Sequence, residues 1–196
     1  HTLASAVHAG RWAERNQYLG AELRGKTLGI LGLGDIGRRV AELATALGMH
    51  VVYWSRASSD ARYQALALPE LLAKADVISL HAALTPATHH LIGAAELEQL
   101  KPHAILINTA RGGLIDQDAL REALARGRLG YFAADVLDPE PPEPGDPLLT
   151  SERTLITPHT AALTDQTYRA MCLSTAGNVL AILRGEEPQE RSIYRR

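Results

Sequence analysis

Residues 27–37 read TLGILGLGDIG, and the rest of the fold can be worked outward from them. Thr27–Leu31 is a short apolar run without polar alternation, the pattern of a strand covered on both faces. Gly32, Gly34 and Gly37 follow at once, and residues with helical spacing come next. In that setting Gly32 permits a tight turn, Gly34 lets the backbone approach a pyrophosphate, and Gly37 removes a side chain where helix and strand must touch. Asp35 and Ile36 complete the loop at the start of the helix, whose unpaired N–H groups and partial positive charge suit an anion. A glycine-rich turn with no ligand is the alternative reading of this stretch.

The same rhythm continues along the chain. Further apolar runs fall at His50–Trp54, Val77–Leu80, Ala104–Asn108, Phe132–Asp135 and Thr154–Thr157. Helical spacing separates them. Val40, Leu43, Ala44 and Leu47 form one stripe stopped by Gly48, and Leu120 and Leu124 form another between Asp116 and Gly127. A last helix, from Asp165 to about Leu180, aligns Met171, Thr175, Asn178, Val179 and Ile182, with Cys172 read as core packing. This alternation predicts an α/β fold, a Rossmann-type doubly wound parallel sheet. The expected units are an N-terminal helix and linker (1–24), a dinucleotide-binding domain (25–185) and a C-terminal tail (186–196). The first unit, with Leu3, Val7 and Trp12 partly in phase, is expected to cover a domain edge or a second subunit.

Composition closes off other classes. The 196 residues are 46% apolar and 21% charged, with a net charge of −2. That excludes a disordered tail or a disulfide-stapled miniprotein, and it leaves no basic footprint for nucleic acid or an anionic membrane. No apolar run reaches the ~20 residues of a membrane helix. A single cysteine, Cys172, fits a reducing compartment, and cytoplasmic localisation is expected. The chain begins at His1, not Met, and is expected either to start inside a gene product or to follow a cleaved tag.

The end of the second run decides the cofactor type. A site for NAD places Asp or Glu about 20 residues beyond the glycines, against the ribose 2′-OH. Here the chain reads Tyr53-Trp54-Ser55-Arg56, and the next carboxylate, Asp60, lies deeper in the loop. Ser55 can donate to a phosphate and Arg56 can pair with it through its planar fork, so NADP is favoured over NAD. Arg38 and Arg39, at the start of the helix, read as a solvated face, with contact of one of them to phosphate as the alternative. His89-His90 is discounted as a metal site because adjacent residues do not face one ion and no ligand partner stands at suitable spacing.

Four blocks carry a wider resemblance: GLGDIG (32–37), NTARGGLID (108–116), ADVLDPEP (134–141) and TPH (157–159). Their order and spacing are similar to those of the nucleotide-binding domain of D-isomer-specific 2-hydroxyacid dehydrogenases. The resemblance implies a catalytic Arg111, Glu140 and His159. It implies that Asp135 binds the nicotinamide carboxamide, and that Asn108, Thr109, Ala110 and His81 line the same pocket. Two residues after His81 the family pattern has Pro, where this chain has Ala83.

The residues themselves agree. Arg111 follows a strand, where open α/β sheets bind ligands, and its fork suits a 2-oxo acid carboxylate. His159 ends a strand and is fixed by Pro158; imidazole titrates near neutral pH and can exchange a proton with the substrate oxygen. Glu140, which the Pro-rich stretch 138–147 would otherwise mark as a surface acid, would hold the histidine tautomer. The implied activity is hydride transfer between NAD(P)H and a 2-oxo or D-2-hydroxy acid. The implied partners are that small acid and a second copy of the chain, with the substrate domain outside these residues. The fragment alone is expected to bind cofactor with little turnover. The rival is a cofactor-sensing, corepressor-like binding module of the same fold.

Overall fold

The structure is a computed structural model and describes residues 2–17 and 20–189. Its strands are β1 (Thr27–Leu31), β2 (His50–Trp54), β3 (Gln64–Ala65), β4 (Val77–Leu80), β5 (Ile105–Asn108), β6 (Tyr131–Ala134) and β7 (Thr154–Ile156). The helices are α1 (Thr2–His8), α2 (Asp35–Ala46), α3 (Leu68–Lys74), α4 (Ala94–Leu97), α5 (Gln117–Ala125), α6 (Pro147–Thr150) and α7 (Asp165–Leu183). All strand pairs are parallel, in the order β3-β2-β1-β4-β5-β6-β7. The order reverses between β1 and β4, and that switch point is where open α/β sheets open a crevice.

Apolar residues on successive strand positions go to opposite faces, which is why the strands show no polar alternation. On one face Leu28, Ile30 and Tyr53 pack with Leu33, Met49 and the small Ala41 and Ala44 of α2. On the other, Leu31, Ile78, Leu80, Leu106 and Phe132 pack with Leu71 and Leu72 of α3 and Leu120 and Leu124 of α5. Truncating one of these leucines to Ala costs about 2–5 kcal/mol, from lost transfer energy plus the cavity. The Asp116 carboxylate caps α5 by accepting from the Asp118 and Ala119 amides.

Several expectations need correction. The two-residue β3 extends the predicted set of strands; Gln64-Ala65 is too short and too exposed to leave an apolar run. In α2 the buried face is Gly37, Ala41 and Ala44, while Leu43 and Leu47 are exposed. Close helix–sheet approach selects the small residues, so the larger stripe misleads. Over residues 1–24 there is a short α1 and a 3₁₀ turn (Trp12–Gln17), with Val7 and Trp12 exposed; the Leu3 side chain lies outside the described residues. No residue of α7 is buried, so Met171, Val179 and Ile182 form no core stripe, and Cys172 is exposed. Most of the expected tail, from residue 190 onward, also lies outside the described residues.

Candidate active site

The glycine loop sits at the switch point. Gly32 has φ +100°, and a Cβ there would stand 2.5 Å from the Ala82 amide nitrogen at the end of β4. A Cβ on Gly37 would strike the Gly32 carbonyl oxygen. These two positions therefore exclude side chains for backbone reasons. A Cβ on Gly34 would meet nothing within 4 Å, so the loop faces open space there. Gly34 is also the N-cap of α2, and no side chain caps that helix, so Asp35, Ile36 and Gly37 open it with its positive end available to an anion. Glycine loop, open space and uncapped helix together fit a pyrophosphate.

Beside this loop, the His81 amide donates to the Leu31 carbonyl (2.7 Å), and its Nε2 lies 2.9 Å from the Ser79 hydroxyl. Burial pushes the His81 pKa down, which keeps the ring neutral. The following loop is closed by buried Thr88, whose hydroxyl donates to the Ala83 carbonyl (2.7 Å) and accepts from the Thr85 amide (2.8 Å). Thr88 thus braces the loop that carries Ala83. The sequence offered no signal for it beyond a Thr-rich turn.

At the end of β2, Ser55 Oγ accepts from the Ser58 amide (3.2 Å), leaving its proton free to donate. Arg56 is exposed, with Nη2 3.5 Å from Thr85 Oγ1. The Asp60 amide donates to the hydroxyl of buried Tyr53 (3.2 Å), so the loop curls back over the strand. Arg38 is engaged rather than purely solvated: its Nη1 lies 3.6 Å from Asp60 Oδ2 and its Nη2 donates to the Ser59 carbonyl (3.4 Å). Arg62 grips Asp60 most tightly (2.7 Å), and that hydrogen bond is the main reason the Asp60 pKa falls to about 2.

The second half of the site assembles at the carboxyl ends of β5, β6 and β7, which are neighbours in the sheet. After β5, buried Asn108 accepts from the Ala110 amide (3.0 Å) and donates to the Arg111 carbonyl (2.9 Å), folding Asn108-Thr109-Ala110-Arg111 into a tight loop. The Arg111 side chain is exposed, its Nη1 2.6 Å from the Ala110 carbonyl. A Cβ on Gly112 would strike the Leu137 carbonyl, so this loop lies directly on the one after β6.

That second loop carries Glu140. Its Oε1 accepts from the Leu137 amide (3.0 Å), and its Oε2 receives His159 Nδ1 at 2.7 Å. The His159 hydrogen bond is the largest cause holding the Glu140 carboxyl below its ordinary pKa, with the Arg111 charge adding to it. An ionised Glu140 can only accept, so Nδ1 carries the proton and Nε2 is the nitrogen left for other chemistry. Glu140 and His159 also form the polar rim of a cavity of about 710 Å³ walled by Leu137, Leu148 and Ile156.

His159 itself has φ +54°, a left-handed conformation that needs support from its surroundings. Asp135 supplies it. Its backbone carbonyl accepts from the His159 amide (2.9 Å). Its buried carboxylate accepts from the Thr157 hydroxyl (2.5 Å) and the Thr160 and Ala161 amides (2.8 Å each). Burial alone would raise the Asp135 pKa, but these donors outweigh it and the net shift is downward. A carboxylate offers about four acceptor sites, so one remains for a ligand. The bracing role of Thr157 was missed, although it lies inside the TPH block.

Comparisons with known proteins place the chain in a family. The profile of the family described as D-isomer specific 2-hydroxyacid dehydrogenase, NAD binding domain, matches residues 1–161. A glyoxylate reductase from Aeropyrum pernix is 40% identical over 202 residues, covering 95% of this chain and 60% of that protein. A D-3-phosphoglycerate dehydrogenase from Methanocaldococcus jannaschii is 40% identical over 188 residues, covering 93% of this chain and 36% of its own length. A solved structure from Thermus thermophilus superposes with a TM-score of 0.84 at 44% identity, covering 94% of this chain and 62% of that one. The chain thus spans less than two thirds of the length of each of these relatives. With its glycine loop at the switch point and its Arg, Glu and His on adjacent strand ends, it belongs to the D-isomer specific 2-hydroxyacid dehydrogenase family, within the NAD binding domain.

Proposed function

We propose that this chain is the cofactor-binding part of an NAD(P)-dependent oxidoreductase that interconverts a 2-oxo acid and a D-2-hydroxy acid. The observation that carries the reading is the 2.7 Å contact between His159 Nδ1 and Glu140 Oε2, made beside the Arg111 loop. Gly32, Gly34 and Gly37, with Asp35 and Ile36 at the helix start, would hold the pyrophosphate. His81, Thr109, Ala110 and Asp135 would line the nicotinamide end. When bound, the nicotinamide supplies or accepts the hydride.

Arg111 would take the substrate carboxylate in its fork and, as a cation, polarise the neighbouring carbonyl. His159 would hold the proton exchanged with the substrate oxygen at Nε2. Glu140 would fix the tautomer that makes this possible, without itself touching the substrate. Ser55 and Arg56 favour NADP over NAD, because both can meet a 2′-phosphate and no carboxylate stands at the strand end itself. The domain division proposed is 1–24, 25–185 and 186–196, with the substrate domain in the length that the relatives have beyond this chain. A homodimer and a cytoplasmic setting complete the reading; among the described residues no helix is long and apolar enough to cross a membrane. The relatives above carry enzyme names, which lends no support to a sensor module.

The test is reduction of glyoxylate or hydroxypyruvate by the full-length protein with NADPH and with NADH. His159→Asn, chosen because Asn tolerates the left-handed backbone, should lower kcat by about 10²–10⁴-fold with cofactor binding intact. Full turnover in that variant, or no activity on any 2-oxo acid, would refute the assignment. For the cofactor, Arg56→Ala should reduce the thermal shift given by NADP more than that given by NAD. Equal loss with both would overturn the preference.

A further inference from the structure

The loop after β2 has an arrangement that the glycine motif does not predict. Arg62 and Asp60 form a closed pair: Arg62 Nη2 donates to Asp60 Oδ2 at 2.7 Å and Nε to Oδ1 at 3.0 Å, while Arg62 Nη1 reaches Glu42 at 3.1 Å. Asp60 is held in place from beneath, since its amide donates to Tyr53, and its side chain is only 10% exposed. Its charge is therefore already met by Arg62. Arg38 nonetheless points to the same carboxylate, at the longer distance of 3.6 Å, and its other nitrogen makes a 3.4 Å contact to the Ser59 carbonyl. The first is an ion-pair separation beyond hydrogen-bond range, and the second lies at the weak end of hydrogen-bond geometry.

Arg38 sits one residue beyond Gly37, on the first turn of α2 and next to the pyrophosphate cradle. Across the gap stand Ser55 and Arg56 on the loop that Asp60 closes. With Arg62 neutralised by Asp60 and Glu42, Arg38 and Arg56 are cations of this corner that can turn to an anion. We infer that Arg38 is a second ligand for a phosphate on the adenosine ribose, parked against Asp60 until that phosphate arrives.

The physical logic is exchange. A dianionic phosphate offers Arg38 a charge-assisted, two-pronged contact in place of two long ones, and Asp60 keeps Arg62 when Arg38 leaves. Asp60 thus holds the guanidinium near its working position and reduces the ordering cost on binding. It also sets a cost for release, so Asp60 limits affinity while improving placement. This inference rests on the proposed NADP preference, and its failure can be told apart from failure of that preference.

The experiment is titration calorimetry on the full-length protein with two probes, adenosine 2′,5′-bisphosphate and 5′-AMP. A native protein that binds both alike overturns the NADP preference and the inference with it. If the 2′-phosphate is preferred, Arg38→Met should weaken the bisphosphate about tenfold, the loss expected for one charge-assisted contact, and leave 5′-AMP unchanged. Arg38→Lys should recover part of the loss. Asp60→Asn should strengthen the bisphosphate, because Arg38 is no longer held back. A bisphosphate preference abolished by Arg56→Ala but untouched by Arg38→Met would overturn the inference alone. So would weaker 5′-AMP binding in Asp60→Asn, which would make Asp60 a ligand of the ribose hydroxyls instead.

Discussion

Asp76 and Asp135 are both largely covered carboxylates that end at opposite edges of one sheet, and they do different work. At the amino edge, Asp76 Oδ2 accepts from the Thr27 amide at the start of β1 (2.8 Å), and its Oδ1 accepts from Lys101 (2.8 Å). Its own backbone accepts from Ile105 and donates to Thr27, so it ties the starts of β1, β4 and β5 together. At the carboxyl edge the Asp135 amide donates to the Asn108 carbonyl at the end of β5 (3.0 Å), but its carboxylate joins no strand starts; it organises residues 157–161 and with them His159. The same chemical group ties strand starts at one edge and shapes the His159 loop at the other. The lesson is that a buried hydrogen-bonded acid reads as structural or functional only from what its donors carry.

The largest expected effect breaks this comparison at the carboxyl edge. Asp135→Ala strands three donors, and the His159 loop loses its frame. In the full-length enzyme kcat should fall at least about 10²-fold, the scale of a 1 Å misplacement of a reacting group. Chemical denaturation should show a loss of roughly 2–4 kcal/mol from the unsatisfied groups. A variant with native kcat would show that Asp135 does not frame the site.

The middle-sized effect lies at the amino edge. Burial would raise the Asp76 pKa, but Lys101 and the Thr27 amide lower it to about 2 from 3.8. A carboxyl with a depressed folded pKa stabilises the protein above its unfolded pKa, and the gain is lost as pH falls toward the folded value. Stability should therefore drop between about pH 4 and pH 2, and Asp76→Asn should remove about 1 kcal/mol of that dependence, allowing for solvent screening of the lysine pair. kcat at neutral pH should not change. Loss of kcat with unchanged stability would erase the distinction between the two edges.

The smallest effect serves as a control away from both. Met171 on α7 is exposed, so Met171→Gln should alter the stability of this chain by no more than about 0.5 kcal/mol, measured by thermal melting. A larger loss would show that α7 is packed in solution.

Legibility followed the range of the interactions. Gly32, Gly34 and Gly37 could be read in sequence because turn, close approach and helix start are all set within six residues. The strands could be read because both faces are buried, which writes uninterrupted apolar runs. Arg111 and His159 were marked by their strand-end positions as well as by the resemblance, whereas Glu140 was singled out only by the resemblance, since nothing local marks it among the prolines of 138–147. The amphipathic stripes of α2 and α7 misled for a related reason: periodicity says which residues share a face, not what that face meets.

What the sequence determined by itself was therefore the alternation of strand and helix and the anion cradle at its first turn, both encoded by short-range sterics and burial. Tertiary structure alone decided that Glu140 meets His159, that Asp135 frames the loop carrying His159, and that Asp60 turns back toward Arg38. Each of those contacts joins residues about 20 apart in the chain. They exist because adjacent parallel strands end at the same edge, and the loops leaving that edge have only each other to pack and hydrogen-bond against.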